Sequence, residues 1–99
     1  MLAFPEIDQH KAVKEDDWIS SLASVPGLEG IIGVAASLYN GGIAFYDIGL
    51  ESVVKIEADE HPLKGLGLLP SANENHYFCV SGGLGETLRI HLINFAKGS

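Results

Sequence analysis

The segment Ile31–Leu50 constrains the fold of this chain more than any other part of the sequence. Two apolar runs flank the short stretch Tyr39-Asn40-Gly41-Gly42 inside it. Asn and Gly adopt the positive φ angles that tight hairpin turns require, and the β-branched and aromatic residues on either side suit a half-buried sheet. The segment therefore predicts a β-hairpin with strands at residues 30–39 and 43–49.

The length of the hairpin loop decides which side chains share a face. A two-residue turn on Asn40-Gly41 would place Asp47 opposite Val34, among the apolar side chains of one face. A three-residue loop through Gly42 would turn Asp47 away. We favour the three-residue loop, because burying an unpaired carboxylate costs several kcal/mol whereas a glycine bulge costs little. The residues that this register aligns on one face are Val34, Ala36, Leu38, Ala44, Tyr46 and Ile48.

A helical pattern precedes the hairpin. Ala12, Ile19, Leu22 and Ala23 recur mostly at three- to four-residue steps, which is typical of an amphipathic helix. Pro26-Gly27 would end such a helix, because Pro disfavours a helical residue before it and Gly accepts the conformation common at helix ends. A helix is therefore predicted over residues 11–25.

The rest of the chain predicts further strands and one long loop. Residues 51–58 alternate as a half-exposed strand does, and residues 76–81 and 87–95 predict a second hairpin. Residues 1–10 predict an arm or a short strand. Residues 59–75 predict a connecting loop, because prolines and glycines interrupt them. These interruptions are Pro62, Gly65, Gly67 and Pro70.

These elements together predict an α+β fold in a single small domain spanning residues 1–99. One N-terminal helix would pack on an antiparallel sheet of about five strands built from two hairpins. Leucines in the predicted loop are too apolar to remain in water, so this segment is expected to cover the core or form a contact surface. They are Leu63, Leu66, Leu68 and Leu69.

Composition excludes several classes of partner. Hydrophobic residues make up 46% of the chain and charged residues 19%, which is typical of a compact globule. The formal net charge is −7, and the six basic residues are scattered. This charge repels phosphate backbones and anionic lipid, so we expect neither nucleic acid nor a membrane as partner.

The same composition predicts a cytoplasmic protein. Cys79 is the only cysteine, so an intrachain disulfide is excluded and a reducing compartment is the simplest setting. No apolar N-terminal stretch is long enough for a secretory signal. The longest weakly polar run, residues 30–38, is shorter than the ~20 residues that cross a bilayer.

Two segments carry enough chemistry to be weighed as ligand sites. Glu57, Asp59, Glu60 and His61 supply ligands that hard cations accept, yet their spacing matches neither an EF-hand nor a zinc helix. We interpret them as a solvated strand end and expect no metal. The glycine-rich segment Ser81–Thr87 lacks Lys and Arg and includes an acid, so we expect a hairpin loop and no cofactor.

A nucleophile and two bases occur near the C-terminus. His76, Cys79 and His91 would approach one another if the last two strands pair. Residues three apart on a strand point to opposite sides, so His76 and Cys79 do not share a face. We interpret Cys79 as a small buried apolar residue and expect no enzyme.

Residues 18–44 resemble the opening of roadblock or profilin-like small domains. The matching stretches are Trp18–Leu22, Val25–Gly27, Gly33–Ala35 and Asn40–Ala44, which would form helix, Pro-Gly, strand, turn and strand. Those families continue with a long helix, where this chain has a strand-like run and a Pro/Gly loop. The sequence therefore assigns no family.

Negative charge, surplus apolar surface and the lack of catalytic spacing predict a non-enzymatic protein-interaction module. It would be a homodimer, or an acidic inhibitor of the immunity type that neutralises a basic protein partner. The alternative is a small-molecule sensor or carrier with a pocket between helix and sheet, under residues 63–69. The candidate protein-contact residues are Tyr39, Tyr46, Leu66, Leu68 and Leu69.

Overall fold

A computed structural model describes residues 12–27 and 30–95, and these form seven β-strands and no helix. The predicted arm at residues 1–10 lies outside the described residues. No helix in the described part is long and apolar enough to cross a membrane. The strands are β1 (Ile19–Gly27), β2 (Gly30–Leu38), β3 (Gly42–Asp47), β4 (Ser52–Glu57), β5 (Leu63–Pro70), β6 (His76–Gly83) and β7 (Arg89–Asn94).

The strands form two antiparallel sheets that share one core. The first sheet has the order β1-β2-β3-β4 and the second has the order β5-β6-β7. Strand β5 lies closest to β1 and β2 of the first sheet. The core between the sheets consists of Val25, Ala35, Ile43, Phe45, Ala58, Leu63, Tyr77, Cys79, Ile93 and Phe95.

The first predicted hairpin is confirmed, but its three-residue loop is residues 39–41, one residue earlier than the predicted loop through Gly42. Ala36 pairs with Ala44 and Val34 with Tyr46, so the loop has three residues. Gly41 has a φ of 90°, and the Asn40 side chain accepts a hydrogen bond from the amide of Gly42 at 2.9 Å. The face that packs against the second sheet is the opposite one, which carries Ala35, Ile43 and Phe45. Asp47 ends β3 on this same side, so the expectation that it points away from the buried face is wrong.

The predicted N-terminal helix is wrong, because residues 19–27 form β1. The register of β1 shifts between Ile19 and Ser21, so Ile19 pairs with Leu38 while Leu22 pairs with Ala36. This bulge places Ile19 and Leu22 on one face of the sheet although they are three residues apart. The spacing imitates a helical period, and the fold class is all-β rather than α+β.

The predicted loop at residues 59–75 contains a strand that the sequence interpretation missed. Leu63–Pro70 form β5, and β5 pairs with β6 along most of its length. Pro70 is the last residue of this edge strand, where a missing N–H is tolerated. The other predicted strands are found close to their expected positions, including the second hairpin, β6 with β7.

Candidate interaction surface

The register of the second sheet places nine uncharged residues side by side on its outer face, and the pair His76 and Asn94 follows them at one end. Phe78 of β6 pairs with Leu69 of β5 and with Leu92 of β7. Val80 of β6 pairs in the same way with Gly67 and Ile90. Leu88, just before β7, lies against Gly82. We call this surface the apolar face. It consists of Leu69, Phe78, Leu92, Gly67, Val80, Ile90, Gly65, Gly82 and Leu88.

The large side chains of the apolar face remain in contact with solvent. Leu69, Phe78, Leu88, Ile90 and Leu92 are between 41% and 74% exposed. Together they present roughly 500 Å² of apolar area, which is within the range of the largest patch on a typical monomer, and patches of this size often mark binding sites. The apolar face is thus large enough to be a candidate binding surface.

The apolar face has a furrow along β5 and a ridge along β7. A Cβ added at Gly65 or Gly67 would meet no heavy atom within 4 Å, so the backbone of β5 lies open there. On the far side of β6, the side chains of Leu88, Ile90 and Leu92 project from β7 and the residue before it. The face therefore offers both a recess and the apolar groups that could fill one.

The inner side of the same sheet holds the apolar face in position. Tyr77, Cys79 and Ile93 lie in the core. The Tyr77 hydroxyl also donates a hydrogen bond to the carbonyl of Pro26 in β1, which ties β6 to the first sheet. The apolar face is thus presented by a sheet whose other side is packed, not by a loop.

The five predicted contact residues lie in four different places. Leu69 belongs to the apolar face, whereas Leu66 and Leu68 pack against the core from its inner side. Tyr46 is 7% exposed. Tyr39 is half-buried and lies apart from the apolar face.

Tyr39 belongs to a separate group with Trp18 and Lys64. The ring centroids of Trp18 and Tyr39 are 5.7 Å apart, and Lys64 Nζ lies 5.0 Å from the centroid of the Tyr39 ring. A cation over an aromatic face is attracted by the ring quadrupole. The contact holds β5 against the first hairpin.

Sequence reasoning missed most of the apolar face. The alternation of Leu88, Ile90 and Leu92 was visible, but alternation alone does not say which side of a strand faces the core. One signal could have revealed the furrow. Glycine and leucine alternate over residues 65–68, as the two sides of a strand do.

The acidic cluster at residues 57–61 is organised around Asp59. The Asp59 side chain is only 3% exposed, and its carboxylate lies 3.4 Å from Nε of Arg89 and 3.3 Å from Nδ1 of His61. It also accepts hydrogen bonds from the amides of Glu60 and His61. The bond from the His61 amide is the main cause that lowers the pKa of Asp59.

These contacts give Asp59 a structural role. Asp59 lies in the connection between β4 and β5, which links the two sheets, and Arg89 is the first residue of β7. The contact between Asp59 and Arg89 therefore attaches this connection to the second hairpin. Among the described residues, no group of three or more His, Cys, Asp or Glu side chains could hold a metal ion.

The structure brings Cys79 and His91 together but buries the thiol. Cys79 pairs with His91 across β6 and β7, but Cys79 is fully buried and desolvation raises the pKa of its thiol to about 11. His76 binds the carbonyl of Glu74 through Nδ1 at 2.9 Å. A thiol of this kind is protonated at neutral pH, which argues against a thiolate nucleophile.

Three open cavities lie outside the apolar face. One of about 460 Å³ is bordered by acids including Asp16, Glu57 and Glu60, and one of about 490 Å³ lies beside Asp59 and Arg89. The third, of about 650 Å³, lies between the β5–β6 turn and the ends of β1 and β2. None of the three is lined by residues 63–69, and the described residues contain no helix to cover a carrier pocket.

Comparison with known proteins gives no family assignment. No protein-family model, no curated protein and no solved structure matches this chain.

Proposed function

We propose that this domain is a non-catalytic protein-interaction module that docks through the apolar face. The observation that carries the proposal is the set of nine uncharged positions on the outer face of the second sheet, five of which expose large apolar side chains. Burying such an area releases about 25 cal/mol per Å² before the costs of association. We place the domain in the cytoplasm, since its only cysteine is a free thiol.

The charge of the chain supports a protein as the occupant. A net charge of −7 disfavours approach to nucleic acid or anionic lipid. A protein surface of matching apolar character can cover the apolar face without encountering a charge there.

A photoreactive benzoylphenylalanine in place of Ile90 tests the proposal in a lysate of the source cells. Irradiation is expected to give a discrete adduct with a protein, identified by mass spectrometry, and Leu92→Lys in the same chain is expected to abolish it. The matched control carries the same group in place of Leu22, which is exposed on the outer face of the first sheet. Equal adducts at both positions, lipid adducts only, or none at position 90 would contradict the proposal.

A second candidate function is the acidic neutraliser of a basic protein. The observation that favours it is the 460 Å³ cavity, which is bordered by Asp16, Glu57, Asp59 and Glu60, with Lys55 as its one basic lining residue. Such a complex would use this acidic end of the molecule and leave the apolar face free. Basic side chains of the partner would be attracted to it, and the attraction would weaken as salt is added.

A further inference from the structure

We infer that the occupant of the apolar face is a second copy of this chain, packed with the β7 ridge of each copy in the β5 furrow of the other. This inference rests on the proposed function and names its partner.

The uncharged character of the apolar face favours a second copy over a basic protein as its occupant. The nine positions of the apolar face contain no ionisable group, although thirteen Asp and Glu are present in the chain. A surface that selected a basic protein would display some of these acids. An uncharged surface can meet its own copy without placing like charges opposite one another.

The exposed area of the apolar face determines how large the contact between two copies can be. A standard interface buries about 800 Å² per partner, and the five exposed side chains supply roughly 500 Å² of this. Val80, the open glycine backbone and the residues that border the face supply further area. The face is thus large enough for a modest but specific dimer.

The ridge and the furrow of the apolar face fix the symmetry of the dimer. A two-fold axis that lies in the interface and runs nearly parallel to β6 places β7 of one copy over β5 of the other. Ile90 then lies over Gly67, where no heavy atom surrounds the missing Cβ. An axis perpendicular to the strands would instead place ridge on ridge and leave both furrows empty. Close packing therefore selects the first arrangement, which is also compatible with aligned packing of two sheets.

Sedimentation of the purified chain over a range of concentrations measures the dimer directly. The wild type is expected to change reversibly from monomer to dimer. Gly67→Val fills the furrow and is expected to raise the dissociation constant at least tenfold, without lowering the melting temperature of the monomer. Ser24→Val adds the same side chain on the outer face of the first sheet and should leave the dissociation constant unchanged.

Cysteine crosslinking distinguishes this arrangement from others. A mixture of Gly67→Cys chains and Ile90→Cys chains is expected to form mixed disulfide dimers under mild oxidation, while Ile90→Cys alone is expected to form few. Cys79 is buried and should not compete.

The possible failures are distinct. Efficient crosslinking of Ile90→Cys with itself would overturn the ridge-in-furrow geometry, because it requires ridge on ridge or pairing of the β7 edges. A strictly monomeric chain, combined with a discrete adduct to a different protein at position 90, would overturn the second copy but keep the proposed function. A monomer with no protein adduct would remove both.

Discussion

At the scale of single residues, Asp59 connects parts of the chain that are distant in sequence. Its carboxylate binds Arg89 of β7 and the amides that follow it, and its own amide binds the carbonyl of Gly41 at 3.0 Å. The bonds to the carboxylate hold the pKa of Asp59 below its ordinary value. The charged form is therefore the one that the folded state stabilises.

We expect Asp59→Asn to lower the melting temperature at pH 7. Because the pKa of Asp59 is lower in the folded than in the unfolded chain, its contribution is present above the unfolded pKa and is lost as pH falls through the folded pKa. The difference between wild type and variant should thus shrink below about pH 4. Thermal unfolding at pH 7, 5 and 3 measures this. Glu60→Gln, the same loss of charge at an exposed neighbour, is the control, and a difference as large at pH 3 as at pH 7 would show that charge is not the cause.

Gly41→Ala tests the conformation of the first hairpin. Gly41 has a φ of 90°, and a Cβ there would collide with the carbonyl of Asp59. We expect a loss of about 1–3 kcal/mol in the free energy of unfolding. Gly49→Ala is the matched control, because its nearest neighbour, Asp47 Oδ1, would be 3.4 Å away. Equal losses in urea denaturation of the two variants would mean that the positive φ is not what matters.

At the scale of strands, the sequence predicted those strands in which apolar and polar residues alternate without interruption. The hairpin of β2 and β3 followed from Asn40-Gly41-Gly42, and β6 and β7 followed from simple alternation. The expected cost of burying Asp47 was not a valid guide, because Asp47 ends β3 on the same side as the core residue Phe45. Strand β1 was not predictable in this way, because its bulge at Ser20 gives Ile19 and Leu22 a helical spacing. A bulge is fixed by the neighbouring strand, which a local pattern does not contain.

The candidate surface was predicted less well than the fold for a related reason. Leu69 was identified, but Phe78, Ile90 and Leu92 were not, because the sequence shows two apolar sides of β6 and β7 without saying which one meets the first sheet. The glycines of β5 were interpreted as breaks in structure. They are instead places on an outer face where no side chain is needed, which only the pairing of β5 with β6 reveals.

Tyr77→Phe tests the connection between the two sheets. The hydroxyl of Tyr77 donates to the carbonyl of Pro26, and its ring packs edge-on against Phe95 at 6.2 Å. Removal of the hydroxyl alone should lower the free energy of unfolding by about 0.5–1.5 kcal/mol, because the ring packing is kept. Tyr39→Phe is the control and should change it by less than about 0.5 kcal/mol. Urea denaturation measures both, and an unchanged midpoint for Tyr77→Phe would show that the bond does not stabilise the fold.

At the scale of the whole molecule, two properties oppose each other. The second sheet presents a large uncharged surface, while the chain as a whole carries a net charge of −7. Two copies that meet through the apolar face must bring like charges together, although not at the contact itself. Among the described residues no strand pairs with the outer edge of β7, so the ridge and this edge are both accessible to a partner. The balance between apolar burial and repulsion should therefore depend on ionic strength.

We expect the dissociation constant of the dimer to fall as sodium chloride is raised from 50 to 500 mM at pH 8. The Debye length shortens from over 10 Å to about 4 Å over this range, which screens the repulsion between the two copies but changes the apolar contact little. Leu22→Lys reduces the net negative charge outside the apolar face, so its dimer should be tighter at low salt and show a smaller salt dependence. Sedimentation of both chains across the series measures this. A dissociation constant that rises with salt would mean that ion pairs hold the two copies together, and the apolar face would then not be the main contact of the dimer.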